Sequence, residues 1–194
     1  NSGIINDHWY VISGGDGFTV RVDPSNTNYV YAESQWGALV RSTNGGTSFS
    51  SATSGLSGRK PWHGIYVLDP NTPSTLYFGT HTLNVSTNRA QTWRSVTGDL
   101  SDGDQGSGGV VYGTVSAIAV APSDSNRLYV GSDDGHVHKV VRSGSSYTAT
   151  RADTGLPKRW VTDIAVDPRN VDTVYVAYSG FVQNDRAAHV YRST

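Results

Sequence analysis

Four times along the chain a tyrosine stands seven residues after a proline that closes a short apolar run. The pairs are Pro24 with Tyr31, Pro70 with Tyr77, Pro122 with Tyr129 and Pro168 with Tyr175, and the prolines lie 46, 52 and 46 residues apart. Self-similarity at this period marks a repeat architecture, in which one small unit is copied and stacked because it cannot bury its faces alone. It also sends function to the loops that differ between copies.

Around each proline the apolar residues recur at every second position. Val20 and Val22, Tyr66 and Leu68, Ile118 and Val120, and Ile164 and Val166 precede it; Val30 and Ala32, Leu76 and Phe78, Leu128 and Val130, and Val174 and Val176 follow. That is the period of a strand with one face buried. The residues between, such as Pro24-Ser25-Asn26-Thr27-Asn28, are turn formers. A third strand is expected over 38–42, 83–86, 136–142 and 188–193, and a short fourth one ending in an aromatic at Phe49, Trp93 and Tyr147. Four antiparallel strands in roughly 45 to 50 residues are the size of one blade of a β-propeller. The expectation is an all-β propeller with blade repeats at 18–52, 64–97, 115–150 and 162–194. Residues 1–17 read as the end of a preceding blade or as a closing strand. The four repeats then belong to a larger ring of six to eight blades, or the N-terminal strand closes a small one.

Composition narrows the partners. Charged residues are 16% of the chain, against roughly a quarter in an average globular protein. A net charge of −1, with 12 Arg and 3 Lys scattered, gives no reason to expect nucleic acid. No apolar run is long enough for membrane insertion by a helix. With no cysteine, disulfides, thiolate metal sites and cysteine nucleophiles are excluded. The absence of methionine suggests a mature product or a piece of something larger.

The segments between the third and fourth strands carry a family resemblance. Ser42-Thr43-Asn44-Gly45-Gly46-Thr47-Ser48-Phe49 and Ser86-Thr87-Asn88-Arg89-Ala90-Gln91-Thr92-Trp93 resemble the Asp-box, or BNR repeat, Ser-x-Asp-x-Gly-x-Thr-Trp. Asn replaces the Asp, Ala90 stands where Gly is expected, Ser143-Gly144-Ser145-Ser146-Tyr147 is degenerate, and the last copy stops at Ser193-Thr194. The motif occurs in sialidases, endo-xyloglucanases, sortilin-like receptors and secreted bacterial propellers. The resemblance implies an extracellular or cell-surface protein that binds a polysaccharide or an extracellular protein, beside the remaining blades of its parent or a second copy. It implies no cofactor. The box residues themselves read as hairpin structure rather than chemistry.

In such an architecture the loops entering the first strand and joining the second to the third share one face, opposite the boxes and proline turns. The candidate ligand-binding residues there are Asp16, Trp36, Trp62, His63, Tyr112, Arg159 and Trp160, chosen because loop aromatics can stack on sugars or anchor a protein. Trp62 and Trp160 hold the same place, eight residues before their prolines, where Asp16 and Thr114 stand in the other repeats. Wedging between blades is the competing role for both. Gly14-Gly15-Asp16-Gly17 lacks the helix a phosphate loop needs. Asp99, Asp102 and Asp104 lack the terminal glutamate of a calcium loop, and His136 with His138 lacks a third ligand, so no metal is expected. Asn84-Val85-Ser86 is a formal glycosylation sequon. No catalytic residue is identified. A glycoside hydrolase needs two carboxyls about 5 to 10 Å apart; Asp16, Asp133, Asp134, Asp163 and Asp185 are available for a xyloglucanase-like pair. A sialidase is disfavoured because Glu33 is the sole glutamate. A structural spacer is the third reading.

Overall fold

A computed structural model describes residues 9–104, 111–180 and 188–193. The described residues are all-β, with almost no helix: a single 3-10 turn, Gln35–Gly37, interrupts the strands. Four antiparallel sheets follow one another along the chain. The first holds β1 (Val20–Val22), β2 (Val30–Ser34), β3 (Ala38–Ser42) and β4 (Ser50–Ser51). The second holds β5 (Tyr66–Leu68), β6 (Leu76–Gly79), β7 (Leu83–Ser86) and β8 (Arg94–Ser95). The third holds β9 (Val115–Ala121), β10 (Asp124–Ser132), β11 (Val137–Ser143) and β12 (Ser146–Arg151); the fourth holds β13 (Val161–Asp167), β14 (Asn170–Tyr178) and β15 (Val190–Arg192). Each sheet is a meander in sequence order. The segments 1–8, 105–110 and 181–187, with Asp185, and Thr194 of the last box lie outside the described residues.

In the first, second and fourth repeats the first turn is made by the Asp before the proline, Asp23, Asp69 or Asp167, whereas in the third, where Ala121 precedes Pro122, Asp124 takes the role. Asp23 Oδ1 accepts hydrogen bonds from the backbone of Ser25 (2.8 Å) and Asn26 (3.2 Å), and Asp69 Oδ1 does the same for Asn71 and Thr72. Such Asx turns return the chain and leave the proline, which has no N–H, outside the ladder. The second hairpin is held by the box. Asn44 Oδ1 accepts the Ser48 N–H at 3.0 Å and Ser42 Oγ accepts the Gly46 N–H at 2.9 Å; Asn88 with Thr92 and Ser86 with Ala90 repeat both distances. Asn therefore supplies the acceptor an Asp would. Arg89 and Ala90 keep the positive φ values, 56° and 58°, that Gly45 and Gly46 adopt without strain. The fourth strands begin later than expected in the first two sheets, because the aromatics Phe49 and Trp93 belong to the turn.

Each sheet packs on the next through its own core. Tyr31 and Leu39 of the first sheet meet Tyr66, Leu76, Phe78 and Trp93 of the second. Tyr77, Leu83 and Val85 meet Ile118, Leu128 and Val130 of the third, and Tyr129 with Val137 meets Ile164, Val174 and Val176 of the fourth. The repeated tyrosine thus faces the following sheet, while the apolar residues on either side of it face the preceding one. Tyr31 and Tyr77 are wholly buried and Tyr129 nearly so, but Tyr175 is 41% exposed. At the opposite end Val20 and Val22 are 54% and 48% exposed.

Candidate functional site

The turns that enter β5 and β9 and the 3-10 turn between β2 and β3 bring their aromatic rings together. Trp36 meets Trp62 edge to face at 5.1 Å and Tyr112 at 5.7 Å. Phe18 extends the cluster, lying 6.3 Å from Trp62 and 4.7 Å from the His63 ring. Trp36 is 50% exposed and Trp62 40%. The result is a platform drawn from three sheets, with a tryptophan at its centre.

Its backbone is pinned from below. Trp36 has φ 61° and ψ 33°, a left-handed conformation uncommon for a bulky residue, and its N–H donates to the Trp62 carbonyl at 2.9 Å. Glu33, whose side chain is fully buried, accepts the Gly64 N–H at 2.8 Å through Oε1. A Cβ on Gly64 would lie 2.9 Å from that oxygen and from Phe78, so only glycine lets the two chains approach this closely. Arg59 ties the neighbouring loops, donating to Asp99 Oδ2 at 2.5 Å, Ser101 Oγ at 3.1 Å and the Gly113 carbonyl beside Tyr112. The rings are therefore set before any ligand arrives, which lowers the ordering cost of binding.

Glu33 is the residue that sequence reasoning passed over as a site component. Burial pushes its carboxyl up to about 7 despite the backbone hydrogen bonds that oppose the rise. Its second oxygen, Oε2, has no hydrogen-bond partner and faces His63 Nε2 at 4.0 Å. Burial lowers the pKa of His63, and Thr19 Oγ1 lies 3.1 Å from its Nε2. The signal was present in the chain: a lone glutamate on a strand, Val30–Ser34, that is otherwise without charge.

Of the seven candidates, Trp36, Trp62, His63 and Tyr112 are brought together. Asp16 is exposed, following Gly15, which packs on Ser34 and Gln35 of the Trp36 turn. Arg159 and Trp160 lie in the loop entering the fourth sheet; the Trp160 carbonyl accepts the Ser179 N–H at 2.9 Å, and the ring is half-buried. The four residues at the shared place diverge, since Thr114 is fully buried and bonded to Asp133 at 2.9 Å. Asp133 is itself committed: its carboxylate accepts from Tyr112 N, Thr114 N and Thr114 Oγ1, and burial raises its pKa.

A second polar cluster lies beside the third sheet. The ligand atoms of Asp102, Asp134 and His136 lie within 4.8 Å of one another and could hold a metal ion. Cations already occupy their surroundings, with Lys158 3.8 Å and Arg151 3.9 Å from Asp102 and the Arg151 guanidinium against the His136 ring. The His136 hydrogen bond and these positive charges hold the Asp102 carboxyl below its usual range. The cluster reads as an ion-paired latch that fastens the loop after the second sheet to the third.

No family model matches the chain, and no curated protein matches it in sequence. Solved structures do. An ancestral GH74 enzyme superposes with a TM-score of 0.64 at 22% identity, covering 93% of this chain and 23% of that one. A GH74 enzyme from Niastella koreensis gives 0.60 at 22% identity over 82% and 24%. An auxiliary nutrient binding protein from Bacteroides thetaiotaomicron gives 0.55 at 12% identity over 92% and 42%. The chain spans less than half the length of each. At these identities the likeness is one of fold: four successive antiparallel sheets of the kind found in propeller proteins. No helix among the described residues is long and apolar enough to cross a membrane.

Proposed function

We propose that this chain binds carbohydrate, without catalysis, on the face formed by Trp36, Trp62 and Tyr112 with Phe18 and His63. The observation that carries the reading is the half-exposed, edge-to-face cluster of three large rings on a fixed backbone. Aromatic faces take up the apolar faces of sugar rings, and each exposed ring is worth about 1–3 kcal/mol by analogy with base stacking on aromatics. Asp16 at the margin supplies a hydrogen-bond acceptor for hydroxyls. The four sheets are blades of a larger ring in this reading, the hairpins are Asp-box turns in which Asn replaces Asp, and the protein works outside the cell. The GH74 and nutrient-binding neighbours are compatible with a polysaccharide partner.

The competing reading, an endo-acting hydrolase of a β-glucan, needs a pair of free carboxyls. Asp133, one of its candidates, has its carboxylate engaged by three donors at 2.8 to 2.9 Å, which disfavours it as an acid or base. Calorimetry and reducing-end assays on one panel of β-glucan oligosaccharides separate the readings. Binding without turnover, weakened by Trp62→Ala, is the expected result. Turnover, or binding unchanged by Trp62→Ala and Trp36→Gly, would sink the proposal.

A further inference from the structure

A single buried carboxyl lies beneath the aromatic platform and ties its parts together. Glu33, on β2, stands just before the turn that carries Trp36, and its Oε1 accepts the N–H of Gly64, which follows Trp62 and His63. The side chain is wholly enclosed, and Oε2 has no hydrogen-bond donor. His63 Nε2 faces that oxygen at 4.0 Å, and the His63 side chain is itself 48% exposed, its ring tilted against Phe18. The imidazole therefore stands between Oε2 and the surface on which Trp36 and Trp62 lie.

Among the described residues, no other side chain pairs with this carboxyl. The strand entry before β1 supplies Phe18 and Thr19, with Asp16 exposed beyond them; Arg21 on β1 donates to the Val20 carbonyl at 3.2 Å. The segment entering β5 supplies His63, Gly64 and Lys60, whose Cδ lies beside Gly37. On β5, the Tyr66 hydroxyl donates to the Thr19 and Tyr31 carbonyls at 3.0 Å, and burial pushes its pKa up, with a smaller push from Glu33. From β6 comes Phe78, an apolar ring. A carboxylate in this place is a charge with one oxygen bare, which is costly. Burial accordingly lifts Glu33 to about 7 against the backbone of Gly64, Gly37 and Thr19, and pushes His63 towards its uncharged form.

We propose that carbohydrate on the platform and the proton on Glu33 favour each other, so that the chain binds in mildly acidic medium and lets go as pH rises through neutrality. A sugar laid across Trp36 and Trp62 covers His63 and withdraws water from above Oε2. That adds to the cost of charge on Glu33. By linkage, a carboxyl already ionised opposes the sugar by the same factor. Glu33 does not touch the ligand; it is a positioning residue that acts through Gly64 and His63. The inference rests on the carbohydrate reading of the platform.

Calorimetry with the β-glucan oligosaccharide panel at pH 5.5, 7 and 8.5 tests it. Affinity is expected to fall about five-fold or more from the lowest pH to the highest. Near pH 7.5 binding should take up a fraction of a proton, read from the dependence of the heat on the ionisation enthalpy of the buffer. Glu33→Gln, which keeps an acceptor for Gly64, should give one affinity at all three pH values and no proton uptake. His63→Leu should keep the pH dependence and move its midpoint upwards, since an apolar group then faces the carboxylate. Circular dichroism identifies a variant that fails to fold; the unaltered chain and His63→Leu decide the matter without Glu33→Gln. A dependence that survives Glu33→Gln, or vanishes with His63→Leu, overturns the proposal. Affinity that is flat or rises with pH overturns it and leaves carbohydrate binding standing, whereas no binding at pH 5.5 overturns both.

Discussion

Glu33 carries the clearest consequence of a single side chain. Its carboxyl keeps its proton to about pH 7 in the folded chain, against 4.5 ordinarily. Between those values the folded state binds more protons than the unfolded, so stability falls as pH rises and levels off above pH 7. The decline is bounded by about 3 kcal/mol. Denaturant titrations from pH 4 to 8 should show it, and Glu33→Gln, which keeps an acceptor for Gly64, should flatten the curve and be the more stable chain at pH 8. Trp36 makes a second case. Trp36→Gly removes the centre of the platform while relieving a left-handed residue worth about 1–2 kcal/mol. Binding should fall by at least ten-fold with little change in melting temperature; a large drop in melting temperature would assign Trp36 to the core instead. The chain marked Trp36 as a loop aromatic and Glu33 as its lone glutamate, but not what either would touch. The burial of Glu33 depends on Gly64, and the ring contacts of Trp36 depend on Trp62 and Tyr112, all distant in sequence.

At the level of the element, the box hairpins were legible and their tertiary use was not. Ser, Asn and the positive-φ pair are local chemistry, so the turn follows from the string of residues. The use of Trp93 as a plug between sheets follows from register: it donates to Ala52, which belongs to the preceding sheet. Trp93→Phe should keep the packing, lose that hydrogen bond and cost about 1 kcal/mol, whereas Trp93→Ala should cost about 3–5 kcal/mol. Equal losses in chemical denaturation would show that the indole N–H carries the whole effect. Arg89 shows how a poor turn residue is retained. It pays backbone strain, yet its guanidinium lies 3.0 Å from the buried Asp23 carboxylate and 4.7 Å from the Tyr29 ring. Burial raises the Asp23 pKa, but the hydrogen bonds from Ser25 and Arg89 prevail and hold it below the usual range. Arg89→Gly should therefore destabilise the chain by about 1–3 kcal/mol, an effect that fades as acid protonates Asp23. A gain in stability would mean that strain outweighs the ion pair.

Across the whole molecule, the proline–tyrosine period made the order of the sheets legible because each unit repeats the same local solution. The grouping of the loop residues was not legible: Trp62 and Trp160 share a place in the repeat, yet only Trp62 joins the platform, since the preceding sheet offers it Trp36 whereas the same place before Trp160 is Asp134. Because sheets touch only their neighbours in the principal cores, protection should be graded. Amide exchange is expected to be slowest in β6, β7, β9 and β10 and faster in β1, β14 and β15; uniform protection would indicate a single cooperative unit. The seating of Trp93 on Ala52 has an evolutionary consequence. Because a plug and its socket come from adjacent repeats, the heritable module is staggered with respect to the sheet. A duplication or deletion of one whole period, begun at any residue, restores a plug to every internal socket. Gene segments of this kind can lengthen or shorten by unequal crossing-over without first inventing a new interface.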